Sequence, residues 1–585
     1  MDATIAGKWR YNLVFGLLLL AIPGLCVRMI LLLSDDRRHR QIQASRQQRL
    51  VIPLPARPGT IFARSTRRYV PLAVSRQLPS CYADPFLLED DELDEVSIQV
   101  GGALAMDPRD VQQMLMERRD KRFAWLKRRI TDDEAKAVGE LRMSGVGVAY
   151  EWQREYPSAQ LAATVVGFRL IDGLPGGGLE LTQDSYLAAA DGTRVVLADA
   201  SRRPIWPLAG ESAPPRDGGH VFLCIDAVMQ GFLQEAVAAS VEKFDARWGT
   251  GVLVDPQSGE ILAMCSVPTY DPNRFNEAAA DTMTNRAISV PFEPGSVFKP
   301  LIAAAAVESG AVSYDTQIFC ENGEYYAPRG GHISDHGQSY GYLTVADGVV
   351  HSSNICMAKV GEKLGNDLLY RIVKRFGLGE PTRIELPGES RGIVRAPSKW
   401  DTYSLRRVPF GQEISVTAIQ LTMAFSALVN GGVLLGPRLV DRITDADGNV
   451  LYQSSRRVLW RVVTPSVAAQ TLTIMRDVVE RGTGKNCRLD DWTTFGKTGT
   501  AQIAGQGGYA EGAYVGSFVG GAPVGQPRLL CLISIYWPDR SKGYYGSTVA
   551  APYVRQVLQK SLEYLHVPPD KRQALANVGR GGPAR

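Results

Sequence analysis

A serine and a lysine three residues apart are the pair in this chain best suited to nucleophilic chemistry. Ser296 and Lys299 follow Pro294 and Gly295 and open an apolar, alanine-rich run. Proline and glycine before such a run predict a helix start, and residues i and i+3 share one face of a helix. A serine hydroxyl needs a neighbouring base to accept its proton. Because burial favours neutral lysine, the spacing predicts a serine nucleophile with Lys299 as its base.

A second polar pair, Ser352 and Asn354, stands before an apolar stretch that predicts a helix over residues 355–364. Such a pair at a helix entry is most often a simple cap. The functional interpretation adds a hydroxyl that relays a proton to a leaving amine and an amide that holds a substrate backbone. His351 is a lone histidine without a Gly-x-Ser-x-Gly elbow, and we leave it out of the chemistry.

A third motif, Lys497-Thr498-Gly499-Thr500, lies in a stretch (residues 493–503) that alternates like a strand. Glycine inside a strand often marks close approach of a ligand or of another backbone. A peptide substrate can add to such a strand as a further strand. Lys497, Thr498 and Thr500 then offer a cation and two hydroxyls to a carboxylate, and the N–H groups of Thr500 and Ser296 offer an oxyanion hole.

In the order Ser-x-x-Lys, Ser-x-Asn, Lys-Thr-Gly, these motifs mark penicillin-binding proteins and serine β-lactamases. With the segments around them, the chain resembles a class B penicillin-binding protein, a membrane-anchored D,D-transpeptidase of bacterial cell-wall synthesis. The further segments that carry the resemblance are residues 57–61, 123–128, 154–157, 166–168, 178–180, 410–417 and 545–552. The stretches 125–128 and 376–389 are more similar to the septal (cell-division) subgroup than to the elongation subgroup.

The resemblance implies a reaction and a set of site residues. A serine attacks the penultimate D-alanine carbonyl of a stem peptide, D-alanine leaves, and an amine on a neighbouring stem attacks the acyl-enzyme. β-Lactams acylate the same serine. We expect catalytic roles for Ser296, Lys299, Ser352, Asn354 and Lys497, and substrate binding by Thr498, Gly499 and Thr500. We expect no metal and no cofactor.

One departure from the family pattern lies near its start. Ala63 stands where the family usually has an aspartate, and Ser65 and Thr66 follow Arg64 where Asn-Gly is expected. Any ion pair that the family aspartate makes is therefore in doubt in this chain.

Composition narrows the possible partners. The chain has 585 residues, is 45% hydrophobic and carries a net charge of +4, which does not indicate nucleic acid as its main partner. Its eight cysteines are scattered without a Cys-x-x-Cys pair, so zinc or iron–sulfur ligation is not expected. Cys320 with His332, Asp335 and His336 fits no standard metal site.

Residues 11–27 are free of charge, and residues 29–33 extend the apolar run. A span of about 17–25 residues crosses a bilayer, and no small-x-small cleavage site follows. The run therefore predicts an uncleaved anchor rather than a signal peptide. Basic residues flank it on both sides, with three arginines at 37, 38 and 40 after it, so the positive-inside rule alone favours the opposite orientation. The resemblance and a wall substrate place the bulk of the chain outside the cytoplasm, on a bacterial inner membrane crossed once.

We expect an α+β multidomain fold: an anchor, an elongated pedestal and a C-terminal transpeptidase domain with an antiparallel sheet sandwiched by helices. The expected bounds are 1–34 (cytoplasmic segment and anchor), 45–212 (pedestal), 220–565 (transpeptidase) and 566–585 (disordered tail). Residues 214–219, Pro-Pro-Arg-Asp-Gly-Gly, indicate the linker. A basic helix is predicted over residues 107–130.

Three functions fit the motifs. The first is a transpeptidase that takes peptidoglycan stem peptides and lipid-linked precursor polymer, and works with a membrane-embedded glycan polymerase and division proteins. The second is a D,D-carboxypeptidase or β-lactamase, in which water accepts the acyl group. The third is a non-catalytic penicillin-binding scaffold or sensor. The complete motif set favours the first, and a role in elongation rather than division stays open.

Overall fold

The structure, a computed structural model, describes residues 3–34, 49–66, 68–198, 204–328, 331–337, 339–505 and 508–571. The predicted tail (566–585) therefore lies outside the described residues from position 572 onward.

Helices and strands are found along the whole described chain. The helices are α1 Ala3–Ser34, α2 Leu93–Leu104, α3 Pro108–Glu117, α4 Asp132–Leu141, α5 Ala163–Val166, α6 Gly178–Thr182, α7 Asp184–Leu187, α8 Ala227–Lys243, α9 Arg286–Ser289, α10 Lys299–Glu308, α11 Val345–Val350, α12 Asn354–Leu364, α13 Asn366–Arg375, α14 Ser404–Arg407, α15 Ala418–Val429, α16 Pro465–Glu480, α17 Gly546–Val549 and α18 Ala551–Tyr564. The strands are β1 Arg49–Leu54, β2 Ile61–Arg64, β3 Tyr69–Ala83, β4 Ala124–Lys127, β5 Val146–Glu155, β6 Gly192–Ala198, β7 Pro204–Pro207, β8 His220–Asp226, β9 Trp248–Val254, β10 Ile261–Val267, β11 Gln317–Phe319, β12 Glu324–Tyr326, β13 His332–Ser334, β14 Tyr342–Thr344, β15 Val433–Leu435, β16 Val440–Thr444, β17 Val450–Gln453, β18 Val458–Arg461, β19 Phe495–Gly505, β20 Gly508–Ala522 and β21 Leu529–Tyr536.

The first helix is long and apolar. Within α1, the segment Trp9–Leu31 spans 23 residues with a mean hydropathy of 2.3, and none of it is buried against the rest of the protein. Its leucines and isoleucines face outward on all sides. A helix this long and this apolar can cross a bilayer once and so serve as a membrane anchor.

The chain forms two compact units, residues 1–57 with 189–217, and residues 58–188 with 218–585. The first contains α1 and a three-stranded sheet in the order β1-β6-β7. In the second, β2 pairs in parallel with β8, so that strands from both sides of the 189–217 segment join one sheet. Its order is β17-β16-β8-β2-β3-β4, and β5 pairs with β3 as a seventh strand. The expected domain bounds stay predictions. Strands β2 and β8, which pair here, fall in the predicted pedestal and the predicted transpeptidase domain respectively.

The basic segment after residue 117 differs from its prediction. A helix over residues 107–130 is wrong, because α3 ends at Glu117 and residues 124–127 form β4 against β3. Ala124 and Leu126 are buried while Trp125 and Lys127 are only half-buried, which is the period of two of a strand. The preceding charged residues form the turn between the two elements.

The last part of the chain builds a five-stranded sheet in the order β10-β9-β21-β20-β19. All its neighbouring strands run antiparallel. Helices α8 and α18 pack on one face, and α15 and α16 on the other. This confirms the predicted antiparallel sheet between helices. Strand β19, which carries Lys-Thr-Gly, lies at the edge of the sheet, and one of its sides is therefore open to a further strand.

Candidate active site

The first motif begins in a tighter turn than the sequence predicted. Gly295–Phe298 forms a single 3₁₀ turn, and α10 follows from Lys299. Side chains at i and i+3 eclipse in a 3₁₀ helix, so Ser296 and Lys299 point to the same side. The N–H of Lys299 donates to the carbonyl of Ser296. Ser296 is half-buried, and among the described residues no hydrogen bond involves its hydroxyl.

Two glycines allow the chain to close around this turn. The N–H of Gly295 donates to the carbonyl of Gly411 over 3.0 Å. A Cβ on Gly411 would lie 2.2 Å from the Gly295 oxygen, and one on Gly499 would lie 2.5 Å from a methyl of Val297. Gly499 thus approaches another backbone, and its role in substrate binding stays a prediction. The Phe-Gly-Gln-Glu segment and strand β19 hold the turn from two sides.

Lys299 is fully buried, and its Nζ meets the second motif. It donates to Asn354 Oδ1 over 2.8 Å, to Ser352 Oγ over 3.2 Å and to the carbonyl of Ser352. Burial lowers the pKa of Lys299 to about 7, against an opposing attraction from Asp335. A lysine in this state is partly neutral at neutral pH, which is what a base for a serine hydroxyl requires.

Lys497 is the second buried amine of the site, and it also has no exposed surface. Its Nζ donates to Ser352 Oγ over 2.9 Å and to the carbonyl of Thr498 over 3.1 Å. Burial and, after it, the nearby Lys299 hold the pKa of Lys497 well below its ordinary value. Both lysines therefore converge on one hydroxyl oxygen, which accepts from both and keeps its own proton to donate.

Ser352 reaches this position through an uncommon backbone conformation. Its φ is +65°, a left-handed value that is rare for a serine and that often occurs at functional sites. Ser353, next in the chain, is the N-cap of α12, and its Oγ accepts from the N–H of Cys356 over 3.0 Å. The cap predicted for this pair is thus made by Ser353, which leaves Ser352 and Asn354 for the lysines.

Asp335 and Thr483 are contact residues that no motif indicated. Asp335 appeared in the sequence only as a weak metal-ligand candidate, yet its carboxylate accepts from the N–H of Asn354 over 2.6 Å. The hydroxyl of Thr483 lies 2.8 Å from that of Thr498. Sequence carries no signal for either contact, because each joins residues from separate elements. Thr500 Oγ1, for its part, accepts from the N–H of Gly546 over 3.1 Å.

Comparison with known proteins agrees with this geometry. A family model of the penicillin-binding protein transpeptidase domain matches residues 249–559. The chain is 32% identical over 567 residues to a probable peptidoglycan D,D-transpeptidase, PbpC, of Pseudomonas aeruginosa, with 97% of each chain covered. It is 28% identical over 597 residues to the peptidoglycan D,D-transpeptidase FtsI of Escherichia coli, over 98% of this chain and 96% of that one.

A solved structure extends the likeness to the fold. The crystal structure of penicillin-binding protein 3 from Mycobacterium tuberculosis, complexed with aztreonam, matches with a TM-score of 0.68 and 26% identity. The match covers 88% of this chain and 98% of that one. Fold and site thus define a penicillin-binding transpeptidase.

The chain belongs to the class B penicillin-binding proteins and is a serine-type D-Ala-D-Ala transpeptidase of peptidoglycan. The class expected from the three motifs is confirmed.

Proposed function

We propose that this enzyme cross-links stem peptides through an acyl-enzyme on Ser296, in septal wall synthesis. The observation that carries the mechanism is the convergence of Lys299 and Lys497, both fully buried, on the Ser352 hydroxyl. A scaffold has no need for a lysine kept partly neutral, and the pKa of Lys299 near 7 favours a catalytic role.

Acylation begins with proton transfer from Ser296 Oγ to neutral Lys299 Nζ. The serine oxygen forms a bond to the carbonyl carbon of the penultimate D-alanine, and the carbonyl electrons move to its oxygen. The backbone N–H groups of Ser296 and Thr500 stabilise that oxyanion. When the carbonyl re-forms, the C–N bond to the terminal D-alanine breaks, and the leaving amine takes the proton of the Ser352 hydroxyl. Lys299 replaces that proton, returning to the neutral form.

Deacylation runs the same path in reverse, with an acceptor amine in place of D-alanine. The amine attacks the ester carbonyl, gives a proton to the Ser352 and Lys299 relay, and Ser296 regains its hydroxyl proton. In this proposal the donor peptide lies along the open edge of β19. Its terminal carboxylate meets the hydroxyls of Thr498 and Thr500, and its charge favours the ammonium form of Lys497.

Fluorescent penicillin tests the nucleophile. We expect Ser296→Ala to abolish covalent labelling of the full chain in detergent, because the proposed nucleophile is lost. The fold is expected to stay intact, because the change removes only a half-buried hydroxyl. Ser309→Ala is the matched control, since that serine follows α10 and its hydroxyl donates to the carbonyl of Ala306 within the same turn. A stable adduct on Ser296→Ala would contradict the assignment. Cross-linked dimers, as against free tetrapeptide, separate a transpeptidase from a hydrolase.

The septal role is supported by the stretches 125–128 and 376–389, which resemble the septal subgroup. A fluorescent fusion is expected at midcell. Side-wall labelling throughout the cell cycle would contradict division and support elongation.

We also propose that α1 crosses the inner membrane once, with the catalytic domain outside the cytoplasm, and contacts a membrane-embedded glycan polymerase. Helices in a bilayer recognise one another by the shape of their side chains. Exchange of residues 11–33 for an unrelated membrane helix is expected to weaken co-purification of the polymerase. Full co-purification after the exchange would show that α1 is only a tether.

A further inference from the structure

Asp335 lies outside all three motifs, yet its carboxylate accepts hydrogen bonds from two residues of the second motif and from the residue that follows them. It follows β13 and is half-buried. One carboxylate oxygen accepts from the N–H of Asn354 over 2.6 Å and from that of Ile355 over 3.1 Å. The other accepts from the Ser353 hydroxyl over 2.7 Å. Three consecutive residues of the motif and its helix thus donate to one side chain.

These bonds complete the amino-terminal end of α12. The first N–H groups of a helix have no partner within it. Asp335 satisfies those of Asn354 and Ile355, while Ser353 Oγ satisfies that of Cys356. Since the Ser353 hydroxyl gives its own proton to Asp335, its lone pairs are directed toward the helix. The aspartate therefore orients the cap residue as well as the helix end.

The same segment fixes the Asn354 side chain. Its Nδ2 donates to the carbonyl of Ser334 over 3.0 Å, and its Oδ1 accepts from Lys299 over 2.8 Å. Asn354 is thus held between the residue before Asp335 and the proposed base. Ser352 stands just before this anchored pair, in its left-handed conformation. Loss of the anchor would release the turn that places its carbonyl and hydroxyl on Lys299.

The charge of Asp335 acts on Lys299 as well. The titratable groups that face Lys299 are Lys497 from β19, the thiol of Cys356 from α12, and Asp335 after β13. Burial disfavours the ammonium form of Lys299 and lowers its pKa. The negative charge of Asp335 and, after it, Cys356 oppose this effect, and so limit how far the pKa of Lys299 falls.

We propose that Asp335 is a positioning residue of the transpeptidation reaction. Its carboxylate holds the turn that presents Ser352 and Asn354, and its charge sets how readily Lys299 takes up the serine proton. The proposal rests on the acyl-enzyme mechanism described above.

The test is the rate of acylation by fluorescent penicillin from pH 5 to pH 10, on the full chain in detergent. We expect Asp335→Asn to slow acylation at least about tenfold at high pH, because the turn loses an anchor. We also expect the acid limb of the profile to move to lower pH by about one unit, since loss of a nearby opposite charge lowers the pKa of a lysine by about that much. Asp335→Glu keeps the charge, so the acid limb of the pH profile is not expected to move. Its longer side chain displaces the carboxylate from the turn, so acylation is still expected to be slower.

The matched control is Asp226→Asn. Asp226 is a buried aspartate that caps α8 through the N–H groups of Val228 and Met229, as Asp335 caps α12. The Asp226→Asn variant is expected to keep the acid limb of the pH profile of acylation at the wild-type pH. An Asp335→Asn profile with an unmoved acid limb, or with the wild-type rate at high pH, overturns the proposal.

If Asp335→Asn does not fold, Asp335→Glu decides, and a wild-type rate in that variant overturns the positioning role. A wild-type chain that takes no label on Ser296 would instead refute the proposed function, which is a separate outcome.

Discussion

Two regions of the second unit bury basic side chains, and the partners of those side chains differ. In the arginine cluster, the fully buried Glu180 lies between Arg154 and Arg169, with Nε to carboxylate distances of 2.5 and 2.6 Å. In the lysine pair, Lys299 and Lys497 meet on a hydroxyl, and within the described part of the chain neither donates to a carboxylate. One region holds charges permanently, whereas the other holds amines that can lose them.

The physical reason is the basicity of the two side chains. Arginine is not deprotonated in proteins, so a buried guanidinium requires an anion that offsets its loss of hydration. Burial lowers the pKa of Arg169, but Glu180 and Asp184 outweigh it and leave the pKa raised. Lysine can respond to burial by becoming neutral instead. The arginine cluster therefore keeps its charge at every pH at which the protein is folded, whereas the lysine pair can exchange protons.

The largest expected effect comes from replacing Lys299, the proposed base of the lysine pair. We expect Lys299→Arg and Lys299→Met each to slow acylation by about 10²–10⁴-fold, the range for loss of a general base. Only the arginine variant is expected to lower the denaturant midpoint strongly, because it buries a charge that cannot be lost. Acylation of Lys299→Arg at a near wild-type rate would refute the base.

The next effect concerns the arginine cluster. Glu180→Gln removes the carboxylate that Arg154 and Arg169 share, although Arg169 keeps its contact with Asp184. We expect it to lower the free energy of unfolding by about 3–5 kcal/mol. Acylation by the fraction that stays folded is expected to be unchanged. Glu235→Gln is the control, since its ion pair with Lys560 is on the surface. A loss of acylation rate without a loss of stability would show that the cluster takes part in the chemistry.

The pH dependence sharpens the comparison. Because the pKa of Lys299 is lowered to about 7, acylation is expected to rise as pH increases through 7 and to fall about tenfold per unit below it. Between pH 7 and the ordinary lysine value of 10.5, the unfolded chain binds the proton that folded Lys299 does not. The contribution of this group to stability therefore rises with pH across that window. A profile flat from pH 5 to 8 would contradict a titrating base.

The smallest effect is expected where the chain departs from its family. Ala63 is buried, and its neighbour Arg64 pairs with Glu260 at 2.6 Å, with both side chains partly exposed. Partly exposed pairs contribute little, so Arg64→Ala is expected to lower the free energy of unfolding by about 0.5–1 kcal/mol. Ser65→Ala is the neighbouring control. A fall in the free energy of unfolding of more than about 3 kcal/mol would mean that the Arg64–Glu260 pair behaves as a buried ion pair, like those of the arginine cluster.

Much of the active site could be predicted from sequence because the motifs are local. The strand that carries Lys497 and the helix after Ser353 both follow from periodicities of two or 3.6 residues. The class of enzyme followed from the order of three short motifs. The helix expected over 107–130 failed for a related reason: positive charges there masked the alternation of Ala124 and Leu126.

The amino-acid sequence by itself determined which residues can do the chemistry and which segments can be helices or strands, since both depend on near neighbours. Only the tertiary structure decided that Lys299 and Lys497 share one hydroxyl, that Gly411 closes on Gly295, and that Asp335 anchors the second motif. Those contacts join residues from 18 to 145 positions apart, as between Asp335 and Ser353 or Lys497 and Ser352. Burial, which turns Lys299 from a solvated cation into a candidate base, is a property of the packed chain and of no segment alone.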